Sequence, residues 1–145
     1  MSIFTSNRLL TATLALCLTG IVSASNLSSP APENAEVYFI SPSQGQTVSS
    51  PVSVKFGLSA MGVAPAGVEK SNTGHHHLLI DVDELPDLSQ PLPATEHIKH
   101  FGGGQTETSI ELSPGEHTLQ LLLGNHLHVP HEQPVISDKI TITVE

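Results

Sequence analysis

The sequence predicts an all-β fold, an Ig-like antiparallel β-sandwich of six to seven short strands. Three observations lead there. Apolar and polar residues alternate over short runs, as where Val52, Val54 and Phe56 oppose Ser53 and Lys55. Turn formers interrupt these runs at short intervals, the chain holding 11 Gly and 11 Pro. No window of about twelve residues keeps a convincing helical period.

Residues 1–24 read as a signal peptide and stand outside the fold. Arg8 gives a positive start, Leu9–Val22 (LLTATLALCLTGIV) an apolar stretch, and Val22-Ser23-Ala24 small residues for cleavage. The apolar run falls short of the roughly 18 residues of a spanning helix. Leu16 precedes Cys17 where a lipoprotein signal has a small residue, which argues against lipidation. The expectation is a periplasmic or secreted protein with no membrane attachment after cleavage. Cys17 is the single cysteine, so the exported chain would have neither a disulfide nor a thiolate ligand.

Residues 25–35, polar and carrying Pro30 and Pro32, read as a flexible lead-in. Residues 36–145 read as one domain, long enough to bury a single core. Within it, Glu36–Ser41 (EVYFIS) is a run of β-formers, and Ser41–Ser50 a turn-rich connector. Pro51–Leu58 alternates, Ser59–Gly74 is a loop, and His75–Val82 (HHHLLIDV) is the next strand. Asp83–Gly104 reads mainly as loop. Thr106–Leu112 alternates again and ends in the turn Ser113-Pro114-Gly115-Glu116. His117–Leu123 sets His117, Leu119, Leu121 and Leu123 on one face. Gly124–Pro134 is a loop, and Val135–Val144 closes the domain with Ile140, Ile142 and Val144 in alternation.

The charge balance removes some functions. With 5 Lys+Arg against 14 Asp+Glu, the net charge is -9. Nucleic-acid binding needs a basic patch that this chain lacks, and docking on anionic lipid is disfavoured. Gly102-Gly103-Gly104 is not followed by the Lys-Ser/Thr and helix of a phosphate loop; it reads as backbone freedom for a close approach. No nucleophile motif frames a hydroxyl, His and carboxylate set, Thr106, His100 and Glu107 included, which speaks against an enzyme.

Histidine is the anomaly: the chain has 9 His, more than its Lys and Arg together. His75, His76 and His77 open one strand. His97 and His100 precede the strand holding Ile110, and His126, His128 and His131 follow the strand ending at Leu123. In an Ig-like sandwich these segments meet at one rim, with His117 at the other. His75 and His77, two apart, point to one strand face and His76 to the other. His126 and His128 repeat the spacing. Neutral imidazoles in such a group suit copper or zinc. The predicted metal ligands are His75, His77, His126 and His128, with His100 and His131 in reserve. Met61 would favour copper if it joined them, although a loop Met tucked under the rim is the plainer reading. His76 and His117 read as structural. Glu96, Glu107 and Glu132 are candidates to fix an imidazole tautomer, whereas Asp81 is too far along its strand to reach His77. The partner is then a metal ion. The alternative is a non-enzymatic module that binds an envelope protein, its histidines structural or sensing pH near 6.

Four segments carry a family resemblance: ISPSQGQTVSSPVSVKFGLSAMGVAPAG, NTGHHHLLIDVDELP, HIKHFGGGQTETSIELSPGEHTLQLLLGNHLHVPH and ISDKITITV. On them, Val37 to Val144 resembles the bacterial domain-of-unknown-function family 4399. The resemblance implies a small exported bacterial domain and supplies no activity and no catalytic residue. In architecture the chain is also similar to small periplasmic copper carriers with an Ig-like sandwich, an analogy of fold and composition. Copper–zinc superoxide dismutases share the sandwich and His-x-His, but need a disulfide that the chain beyond residue 24 cannot form.

Overall fold

A computed structural model describes residues 26–145. The expected signal peptide, residues 1–24, lies outside them. The described chain forms nine strands and no helix: β1 (Glu36–Ser41), β2 (Thr47–Val48), β3 (Val52–Ser59), β4 (Gly62–Val63), β5 (Thr73–Ile80), β6 (Ile98–His100), β7 (Glu107–Ile110), β8 (Gly115–Gly124) and β9 (Ile140–Val144). Every strand beyond the expected six or seven is a two- or three-residue piece. Such pieces are too short to leave an alternation in the sequence.

Two sheets face each other. One has the order β1-β3-β7, the other β2-β9-β8-β5-β4, with β6 also on β5. β1, β3 and β7 pair antiparallel, as do β5 with β6 and β8, and β8 with β9. The short β2 and β4 run parallel to β9 and β5. The inward residues of both sheets make one core. Val37, Val52, Val54, Phe56 and Ile110 come from the first sheet, and Leu78, Ile80, Leu119, Leu121, Leu123 and Ile142 from the second. Leu78, Leu119, Leu121, Leu123 and Ile142 are fully buried. At roughly 1.5–3 kcal/mol for each such side chain, this core is what holds the sandwich together. The all-β sandwich expected from alternation is therefore the fold.

The boundaries shift for local reasons. β5 begins two residues before His75 and ends at Ile80, because Asp81 turns left-handed with φ 55 and donates its amide to Thr118. The last strand shortens to β9, because the Ser137 hydroxyl, in place of a backbone carbonyl, accepts the Leu121 amide. Residues 26–35 pack along the loop after β8. Asn125 donates to the Leu27 carbonyl and the Ser29 hydroxyl, and Glu132 donates its amide to Ser29.

The outer face of the six-stranded sheet is not left to solvent. Leu79 and Leu122 point outward there, and Leu92, from the segment between β5 and β6, folds over them beside Ile98 of β6 to form a second, smaller core. The Leu92 amide donates to the His128 carbonyl at 2.9 Å, which ties this cover to the loop after β8. Asp83–Gly104 is thus more than a loop. It covers a sheet face and contributes β6.

Candidate metal site

Strand alternation sorts the His triplet. His76, Leu78 and Ile80 point between the sheets, whereas His75, His77 and Leu79 point to the covered outer face. β6 lies antiparallel beside β5 with His100 opposite His77, so His100 joins that face. On the other side β8 sets Gly124 opposite His75. The chain then turns sharply. The Asn125 side chain accepts the amides of Leu127 and Val129, the His128 amide returns to the Asn125 carbonyl, and His128 itself is left-handed with φ 68. That turn sends the His128 ring back over the sheet.

Four imidazoles meet as a result. Ring centroids lie 4.9 Å apart for His75–His77 and for His75–His100, 5.1 Å for His75–His128 and for His77–His100, and 4.6 Å for His100–His128. His77–His128 is the longest at 6.2 Å. An ion held by imidazole nitrogens at about 2.1 Å sets ring centroids roughly 5 Å apart, so the spacing fits. His75, His100 and His128 each bring a ring nitrogen within 4.8 Å of the others, the one such group of metal-ligating side chains among the described residues.

His75 and His77 are buried at 0 % and 1 % exposure, yet neither nitrogen of either ring has a hydrogen-bond partner. A buried polar atom without a partner costs about 1–3 kcal/mol. No hydrogen bond to a nearby carbonyl holds either ring. Burial, with the neighbouring rings of His100 and His128 adding to it, pushes His75 down to about 4. Burial and the His75 ring hold His77 at about 3. His100 is lowered too, by desolvation and then by His128. Near neutral pH these rings are neutral, the form that has a lone pair to give a metal.

Two glycines make the room. A Cβ on Gly124 would come within 2.7 Å of His77 Cε1, and one on Gly102 within 2.7 Å of His100 Nε2. The glycine triplet expected to allow a close approach does so at Gly102, under the His100 ring.

The remaining sequence candidates lie elsewhere. His126 and His131 line a neighbouring cavity of about 170 Å³ with Lys70 and Asn72, outside the converging nitrogens. His131 is buried and donates from Nε2 to the Thr73 carbonyl at 3.3 Å. His97 donates from Nδ1 to the Ile80 carbonyl. His76 packs against Phe56 at 5.1 Å within the main core, and both its nitrogens lack a partner. Burial lowers it to about 4; the Gln105 backbone opposes this without meeting the ring in hydrogen-bond geometry. Met61 packs against the same core. His117 sits near the start of β8, away from its Gly124 end, and donates to Asp81 Oδ2 at 2.7 Å and to the Ser113 carbonyl at 2.9 Å. Of the acidic candidates, Glu96 stands 3.7 Å from His97 and Glu132 accepts from Asn26. Among the described residues no carboxylate joins the imidazole group. Sequence reasoning placed Gly124–Pro134 in a loop but gave Gly124 and Asn125 no part in the site. The turn-forming pair they make was the available signal, and it shows that the chain leaves the strand before His126.

The model of the domain of unknown function DUF4399 matches residues 54–145. The chain belongs to this family. No curated protein and no solved structure matches it. All nine histidines of this DUF4399 member fall within the matched residues, as do β5, β6 and the loop after β8, which carry the imidazole group. The DUF4399 description names no activity, so what the site does rests on its chemistry. That chemistry is a set of imidazole nitrogens that could hold a metal ion.

Proposed function

We propose that the protein binds a transition-metal ion, copper first and zinc second, and that it buffers or delivers that ion rather than turning over a substrate. One observation carries the reading: four imidazoles crowd within 6.2 Å on a covered sheet face, and the two deepest have no partner for any ring nitrogen. A cation is the ligand that such atoms lack. Imidazole without thiolate suits Cu(II) and Zn(II). The acidic chain attracts cations in general. His75, His100 and His128 are the proposed ligands, with His77 beside them.

Export belongs to the same proposal and rests on the residues 1–24 pattern alone. Among the described residues no helix is long and apolar enough to cross a membrane. The experiment is isothermal titration of the purified protein with Cu(II) and with Zn(II). The expected result is one saturable site tighter than micromolar, abolished in His75→Ala/His100→Ala/His128→Ala. Binding no tighter than that, or binding unchanged in the triple variant, overturns the proposal.

A further inference from the structure

We infer that the ion in this site keeps one coordination position open to a small monoanion from solvent, of the halide, azide or carboxylate class. This rests on the metal-binding reading and goes beyond it. The nitrogens of His75, His100 and His128 converge, but no nitrogen of His77 joins them, although its ring stands 4.9 Å from His75 and 5.1 Å from His100. The Cε1–Nδ1 edge of His77 is turned to the Gly124 backbone, where a Cβ would lie 2.7 and 3.2 Å away. His77 is therefore a wall of the site and His75 its buried floor.

The opposite side is open. His100 is exposed and His128 half-buried. Three protein nitrogens with an accessible fourth position is the arrangement that admits an exchangeable ligand. Charge points to an anion in that position. Imidazole binds a metal as a neutral ligand, and no carboxylate or thiolate stands in the group among the described residues. A divalent ion would keep its full charge beside two buried rings, where an unpaired charge is costly. A small monoanion offsets half of it without any movement of the protein.

The experiment loads the full chain with Co(II) and follows its visible absorption while azide is added. The expected result is a saturable spectral change at one azide per cobalt, kept in His77→Ala. A wild-type spectrum indifferent to azide overturns the inference. If His77→Ala then gains azide sensitivity, His77 has swung in to close the site. Failure to bind Co(II), Cu(II) and Zn(II) alike would overturn the metal-binding reading and this inference with it, whereas a cobalt complex indifferent to azide overturns this inference alone.

Discussion

His77 and His117 show one residue type pushed in opposite directions. His117 has an acceptor on each nitrogen, the Asp81 carboxylate and the Ser113 carbonyl, so both nitrogens must carry protons. The hydrogen bond to Asp81 raises it above the usual imidazole value. His77 has no acceptor, and burial takes it to about 3. The stability that His117 adds is fully present below pH 6.5 and is lost as pH rises through its raised value. His75, His76 and His77 do the reverse: they favour folding above 6.5 and cost stability as pH falls towards about 4. An NMR titration of metal-free protein checks both. His117 should titrate above 6.5 and return towards it in Asp81→Asn, while the triplet stays neutral at pH 5.5. How far single residues were legible follows from local geometry. Two-residue spacing was enough to put His75 and His77 on one face, because a regular strand alternates. The same spacing at His126 and His128 carries no such meaning, since the Asn125 turn breaks the alternation there. That Asp81 meets His117 was not legible at all, because it depends on the register of β5 against β8.

At the scale of elements, the site is a product of pairing. β6 is three residues long and leaves no pattern of its own, yet its register against β5 is what sets His100 beside His77. Sequence reasoning held His100 in reserve for this reason: it saw a loop where a strand edge stands. It placed the histidines at a sandwich rim, whereas they lie on the outer face of a sheet that another segment covers. The turn after β8 yields a direct comparison. His128→Ala should weaken metal binding at least tenfold and His126→Ala by no more than about twofold, read by titration calorimetry. Gly124→Ala inserts a methyl against the His77 ring. Overpacking of this kind costs about 1–3 kcal/mol, so a lowered denaturant midpoint with an unchanged slope is expected. A midpoint equal to the wild type would mean that the ring is free to move aside.

For the whole molecule, alternation and turn residues made the all-β sandwich legible, because inward residues of both sheets must be apolar to share one core. The second core was not legible. Leu92 stands between Pro91 and Pro93 in a polar stretch whose leucines, Leu88 among them, follow no strand or helix period, and nothing local says that it covers Leu79 and Leu122. Metal loading should stabilise the entire fold, since the proposed ligands come from β5, β6 and the loop after β8. An ion at 100 times its dissociation constant adds about 2.7 kcal/mol. Thermal unfolding should therefore move upward with Zn(II), fall back with a chelator, and show a smaller gap at pH 4 than at pH 7, as protons compete for His75 near its value of about 4.

The ligands also stand far apart along the chain. His75, His100 and His128 belong to three segments, and the described residues contain no cysteine. An ion shared among them would act as a removable cross-link, closing two successive loops of roughly 25 residues each, a length over which a covalent bridge restrains the unfolded chain by about 3 kcal/mol. A domain without disulfides would then carry a staple that its surroundings can insert or withdraw. The backbone under the Leu92–His128 hydrogen bond is where withdrawal should first be felt, as faster amide exchange when the ion leaves.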